Sequence, residues 1–168
     1  PLIMYMGGKS SAIVLDGCDL DKTARDLISS AMRATGQRPN SIARAFVQKS
    51  ILPDLMDRLL TNVQQINIGY PAHEGVYLGP MISEHWRSRY RKFGKLLIED
   101  NHRSIQAADN YKVESYKGFY VQPSLFQMNM AADELHLLQE PPGPILMVYE
   151  VEDFSQAVQL NNQLLYQK

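Results

Sequence analysis

The residues of this chain that could do chemistry are few and scattered. The stretch Thr35-Gly36-Gln37-Arg38-Pro39-Asn40-Ser41 is a glycine-led break between a helix-patterned run and a strand-patterned one. Loops in that position are where α/β proteins hold reactive atoms on a rigid scaffold. A reaction there needs a nucleophile or a donor, and Pro39 offers neither a reactive side chain nor a backbone N–H. The single cysteine, Cys18, lies between Asp16 and Asp19 in a strand-to-helix turn and reads as a packing residue. His73, His85, His102 and His136 form no i, i+4 pair and have no partner cysteines, so no metal site is expected. Gly8-Lys9-Ser10 ends like a phosphate loop, but Ile3 stands where that loop needs its first glycine, and a strand rather than a helix follows. No G-x-G-x-x-G follows any strand, so the sequence carries no dinucleotide fingerprint.

The elements that must position this loop alternate. Ser11 to Leu15 is an apolar run bounded by glycines, the pattern of a strand buried on both faces. Asp19 caps a helix whose Leu20, Ala24, Leu27, Ile28 and Ala31 share one side, ending at Gly36. Ala45-Phe46-Val47 is a second strand. Ser50 opens a second helix with Pro53 in its first turn. Glycines and prolines make residues 67–81 a long loop. Ser83 caps a third helix running to about Asp100, with Trp86, Tyr90, Phe93 and Leu97 inward, while Arg87, Arg89, Arg91, Lys92 and Lys95 form a solvated face. Short strands are expected at 105–108, 119–121 and 124–128, a brief helical turn at 134–138, and a strand at 145–151. Asp153 caps a last helix with Phe154, Ala157, Val158 and Leu160 inward. Strands alternating with helices predict an α/β fold, a mainly parallel sheet flanked by helices.

Composition narrows the class. With 168 residues the chain suits one domain, and 45% hydrophobic with 21% charged residues argues for a folded core. A net charge of −1 spread along the sequence predicts no nucleic-acid surface. One cysteine favours a reducing compartment, so a cytoplasmic location is expected. No apolar run reaches a membrane-spanning length and no leader pattern opens the chain, so no membrane association is expected. The start at Pro1, without methionine, is the mark of a processed or excised piece.

Read together, Gly7-Gly8-Lys9-Ser10-Ser11-Ala12-Ile13-Val14-Leu15-Asp16 and Asp19-Leu20-Asp21-Lys22 resemble the first strand and helix of the aldehyde dehydrogenase catalytic domain, which reads E-L-G-G-K-S-P-A-I-V followed by D-A-D-L-D. The resemblance continues in step. Gly36-Gln37-Arg38 is similar to the family's G-Q-x-C loop, and Arg44 with Phe46-Val47 to its R-x-x-V strand. Gly79-Pro80-Met81-Ile82-Ser83 resembles G-P-L-I-S, Gly118 to Pro123 resembles G-Y-F-V-x-P, and Glu140 through Pro144 resembles E-x-F-G-P. Phe154 to Asn161 resembles the F-x-x-A-x-x-x-A-N helix. The Met6-Gly7-Gly8 and Gly36-Gln37-Arg38 forms lean toward the succinylglutamate-semialdehyde branch.

The resemblance implies an aldehyde-dehydrogenase catalytic-domain-like fold over residues 1–168, with the family's separate NAD-binding domain absent from this chain. It also implies a mechanism: a cysteine thiolate attacks the aldehyde, hydride leaves to NAD, and activated water hydrolyses the thioester. Two departures interrupt it. The nucleophile position is Pro39, which also lacks the N–H that helps hold the oxyanion. The general-base position is Tyr5, whose phenol, with a reference pKa of about 10, is mostly protonated at neutral pH. Glu140 matches the glutamate that holds the nicotinamide ribose, but Pro142 replaces the flanking phenylalanine, and Glu140 equally suits a surface or capping carboxylate. The expectation is a degenerate, catalytically silent domain with no catalytic residue of its own and no bound cofactor. NAD enters only if a dinucleotide-binding domain is supplied elsewhere, as in a fragment or subunit of an NAD-dependent semialdehyde oxidoreductase. Self-association, or docking of a partner domain, is a third reading.

Overall fold

The computed structural model describes residues 10–100, 102–106, 111–113, 116–129 and 141–164. Five strands form one sheet: β1 (Ser10–Val14), β2 (Ile42–Gln48), β3 (Arg103–Gln106), β4 (Ser124–Gln127) and β5 (Ile145–Val151), in the order β1-β2-β5-β4-β3. β1, β2, β5 and β4 run parallel, and β3 lies antiparallel on the β4 edge. The expected mainly parallel sheet is therefore present, with one reversed edge strand.

The strands alternate between two cores, as strands covered on both faces must. Ala45, Val47, Leu125, Leu146 and Val148 face α1 (Leu20–Met32) and α2 (Leu52–Gln64). Phe46, Phe126, Ile145, Met147 and Tyr149 face the opposite layer, built by α3 (Glu84–Glu99) and α4 (Phe154–Leu164). The α4 layer is also tied to β1, where Ser11 Oγ donates to Asn161 Oδ1 at 2.6 Å. Arg44 is fully buried in β2, and burial pushes its guanidinium below the ordinary arginine value, an effect that Tyr149 opposes. Cys18 is half-buried against the first core, the packing position expected of it.

Three caps fall where the sequence puts them, whereas the helix expected to open at Ser50 begins at Leu52, after a 3-10 turn over Lys49–Ile51 and with no side-chain cap. The Asp19 carboxylate accepts from Lys22 N at 3.0 Å, Ser83 Oγ from Trp86 N, and Asp153 Oδ1 from Gln156 N at 2.8 Å. The bond from Lys22 N holds the Asp19 carboxyl below its usual value. A depressed folded-state value contributes stability that is fully present above the unfolded Asp value of about 3.9, and that is lost as pH falls through the lower folded value. Urea unfolding across pH 2 to 6 is therefore expected to show a smaller acid-side loss for Asp19→Asn, which caps without titrating, than for the parent chain. Equal slopes would sink this assignment.

Three expectations are corrected. Trp86 is 39% exposed because the first turn of α3 overhangs a cleft rather than the sheet. Phe154 is 57% exposed because α4 begins just past the carboxyl end of β5, where no strand lies beneath it. The 119–121 run makes only isolated bridges, at Phe119, which pairs with Met81, and at Val121, rather than a continuous strand. Residues 134–138 lie outside the described residues.

Candidate functional site

Because β2 and β5 are parallel neighbours, the segments that precede them meet at the amino edge of the sheet. One is the α1–β2 loop that contains Pro39. The other is Pro141-Pro142-Gly143-Pro144. Their closest approach is at Gly36, whose φ is +64°. A Cβ there would overlap the Gly143 carbonyl and lie 2.8 Å from Pro144 N.

The loop enters this contact through a left-handed turn. α1 stops at Met32, and Ala34 (φ 54°) and Thr35 (φ 58°) precede Gly36 in the left-handed region. Each non-glycine residue held there costs about 1–2 kcal/mol, more readily for a β-branched threonine. Such strain persists only where surrounding contacts over-determine it. Here they do: buried Thr35 donates through Oγ1 to the Gly79 carbonyl at 3.1 Å, and Gln37 Oε1 accepts from Ile82 N at 2.9 Å. The expected single glycine stop at Gly36 is thus a three-residue left-handed run. Only its glycine was legible, because nothing about an alanine or threonine signals positive φ.

These cross-links bring the 67–81 loop and the start of α3 against Pro39 and enclose a cleft of about 670 Å³. Pro39, Pro80, Pro141 and Pro142 make much of its wall, with Ile82 and Trp86. Arg38 and Arg89 also line it, and Arg89 lies over the Trp86 ring at 4.7 Å. Arg38 Nε is buried with no hydrogen-bond partner. The described lining residues include two guanidiniums and no carboxylate, so together they contribute positive charge to the cleft. They also include no thiol, hydroxyl, imidazole or amine. Such an arrangement can bind and orient an anion with an apolar body, but it offers no group to attack a carbonyl or to move a proton at neutral pH.

Of the positions singled out in the sequence, Pro39 and Pro142 come together in the cleft. Tyr5 and Glu140 lie outside the described residues. Trp86 and Arg89 were missed as site residues because helical spacing assigned one to the core and the other to a solvated face. The signal that could have found them is their place in the first two turns of the helix that follows the Gly79-Pro80 loop end. Nicotinamide dinucleotide is the cofactor the motifs imply, and its ribose hydroxyls need an anionic acceptor. No described lining residue is a carboxylate, and Glu140, the residue singled out for that role, lies outside the described residues. Among the described residues no set of three or more His, Cys, Asp or Glu side chains could hold a metal, and no helix is long and apolar enough to cross a membrane.

A mostly parallel sheet with helices on both faces, carrying a loop-built cleft at the amino edge between β2 and β5, defines an α/β domain with a loop-borne site. The profile of the aldehyde dehydrogenase family matches residues 1–167, and the chain belongs to that family. It is 27% identical over 164 residues to an alpha-ketoglutaric semialdehyde dehydrogenase of Bacillus subtilis, covering 97% of this chain and 33% of the relative. It is 28% identical over 161 residues to malonate-semialdehyde dehydrogenase 2 of Bacillus mycoides, covering 93% and 32%. The crystal structure of an NAD-dependent aldehyde dehydrogenase from Sinorhizobium meliloti superposes with a TM-score of 0.86 at 28% identity, covering 93% of this chain and 30% of that one. The chain thus spans about a third of the length of the relatives it matches.

Proposed function

We propose that this chain is a degenerate aldehyde-dehydrogenase-type domain whose cleft binds a small organic anion without transforming it. One observation carries this: the nucleophile position, Pro39, lines the cleft, and no other described lining residue can attack or shuttle a proton. Losing a nucleophile costs on the order of 10⁶ in rate, and losing an oxyanion donor about 10² to 10³; the two do not add, but either suffices. The class of ligand follows from Arg38 and Arg89 together with the relatives' names. Alpha-ketoglutaric and malonate semialdehydes both carry a carboxylate beside the aldehyde, as does the succinylglutamate semialdehyde toward which the Gly36-Gln37-Arg38 form leans. Arg38 and Arg89 line the cleft, so a carboxylate there can pair with a guanidinium.

The purified chain, given succinic semialdehyde and NAD, is expected to form NADH at the rate of a heat-killed control, while calorimetry detects binding of succinic semialdehyde. Arg38→Ala is expected to weaken that binding about tenfold or more, the effect of losing one charge-assisted hydrogen bond. Turnover above the control refutes the silent domain; unchanged binding in Arg38→Ala refutes the anion assignment.

A second reading is favoured by the share of the relatives covered, about a third. In it the same domain is one part of an NAD-dependent semialdehyde oxidoreductase, with the cofactor domain supplied by a longer polypeptide or a partner. Pro39 would still require a nucleophile from elsewhere. The encoding reading frame discriminates between the two.

A further inference from the structure

The 67–81 loop has no regular secondary structure, yet it is ordered from base to tip. At its base Leu78 is buried in one core and Met81 in the other. Along its length Tyr77 N and Leu78 N both donate to the Asn67 carbonyl, and Gly69 N donates to Leu78 O at 3.0 Å. At its tip the Tyr70 ring stacks on Tyr116 with centroids 4.4 Å apart and planes 9° from parallel. His73 stands edge-on to both rings, and its Nε2 lies 3.0 Å from the Tyr116 hydroxyl. Three rings thus join two segments far apart in sequence, at the surface, where each ring would otherwise be solvated.

The tip is mechanically continuous with the cleft wall. Pro71, next to Tyr70, packs on Gly79 so closely that a Cβ on Gly79 would lie 2.8 Å from Pro71 Cγ. Gly79 accepts the Thr35 hydroxyl, and Pro80 and Ile82 line the cleft. On the other strand of the contact, Phe119 O accepts from Met81 N at 3.0 Å, and a Cβ on Gly118 would lie 3.2 Å from Pro80 Cβ. Tyr116 and Phe119 belong to one segment, so the ring contacts at the tip and the Met81–Phe119 bond hold the loop from the same side.

We propose that Tyr70, His73 and Tyr116 form a clasp that keeps the 67–81 loop closed and so sets the width of the amino-edge cleft. Opening the clasp lifts Pro71 from Gly79 and widens the cleft on its Pro80-Ile82 side. The clasp rests on the geometry of the cleft and not on its occupant, so it stands or falls separately from anion binding.

Trp86 is the only tryptophan of the chain and lines the cleft, so its fluorescence reports on that place alone. Removing an aromatic pair together with a hydrogen bond is expected to raise opening of the loop about tenfold. Tyr116→Ala and His73→Ala should therefore speed amide exchange at Gly69, Tyr77 and Leu78 about tenfold and roughly double the acrylamide quenching constant of Trp86. Gly79→Ala, a wedge under Pro71, should do the same with the clasp residues intact. Tyr116→Phe, which keeps the stack and loses only the hydroxyl, should move both readouts about threefold less. Lys22→Ala, on α1, serves as the control and should move neither. If exchange quickens while Trp86 quenching stays at the parent value, the clasp does not govern the cleft. If neither changes in the tyrosine and histidine variants, there is no clasp.

Discussion

Pro39→Cys is expected to give the cleft a reactive thiol and still no turnover. The introduced sulfur would sit beside Arg38 and Arg89 in a cleft whose described lining has no carboxylate. Cations nearby favour the thiolate, which is the form that reacts. Iodoacetamide should therefore label the variant at about one additional site per chain, faster than it labels half-buried Cys18. Aldehyde oxidation needs more than attack. The hemithioacetal must lose hydride to an acceptor, and the thioester must then meet an activated water. The general-base position is Tyr5, and no described lining group can take the water's proton. NADH formation should stay at background in both the parent chain and the variant. Labelling is read by intact mass and turnover by absorbance. A variant that turns over would mean that the site lacks only its sulfur.

Gly36→Ala is expected to be the most damaging Gly-to-Ala change among the described residues. Two penalties meet at this residue. Its φ of +64° costs an alanine about 1–2 kcal/mol. Its Cβ would overlap the Gly143 carbonyl, which is backbone and cannot swing away as a side-chain end can. Overpacking of a fixed contact typically adds about 1–3 kcal/mol. The sum, roughly 2–5 kcal/mol, is a large fraction of the about 5–15 kcal/mol that holds a domain of this kind together. Denaturant unfolding should show the loss directly. Gly17→Ala is the matched comparison, since φ is also positive there (+78°) but no atom lies within 4 Å of the added carbon. It should cost only the conformational part. Equal effects at the two positions would show that the Gly36–Gly143 contact carries no weight.

The sequence made the sheet legible where burial was two-sided. Ile145 to Val151 and Ser11 to Leu15 are apolar runs with turn residues at their ends, and both are strands within a residue or so. Caps at Asp19, Ser83 and Asp153 were legible because a short polar side chain at a helix start has one dominant use. Pro39 stood out as a loop position and, by the family resemblance, as the nucleophile position, but its place in a cleft depends on the parallel pairing of β2 with β5, which no local pattern reveals. The walls of that cleft were less legible. Trp86 has helical spacing with Tyr90, Phe93 and Leu97, and spacing alone does not reveal that the sheet ends before the helix does. Thr35 and Ala34 carry no sign of their left-handed backbone, which is imposed by Gly79, Gly143 and Ile82 from distant parts of the chain. The aromatic tip at Tyr70, His73 and Tyr116 was hidden for the same reason: pairs separated by more than forty residues leave no local pattern.

The order of strands in the sheet has a bearing on how the molecule is made. β5 is the central strand, and it joins β1-β2 on one side to β4-β3 on the other. Arg44 of β2 waits for Met147, about a hundred residues later in synthesis, before its outer edge is paired. A nascent chain that has passed Gln127 but not Val151 therefore holds two separate strand pairs, each with an unsatisfied edge. The cleft does not exist at that stage, because Pro141 to Gly143 arrive with the same final segment. Ribosomal stalling or proteolysis ahead of Ile145 would yield an aggregation-prone product rather than a smaller working domain.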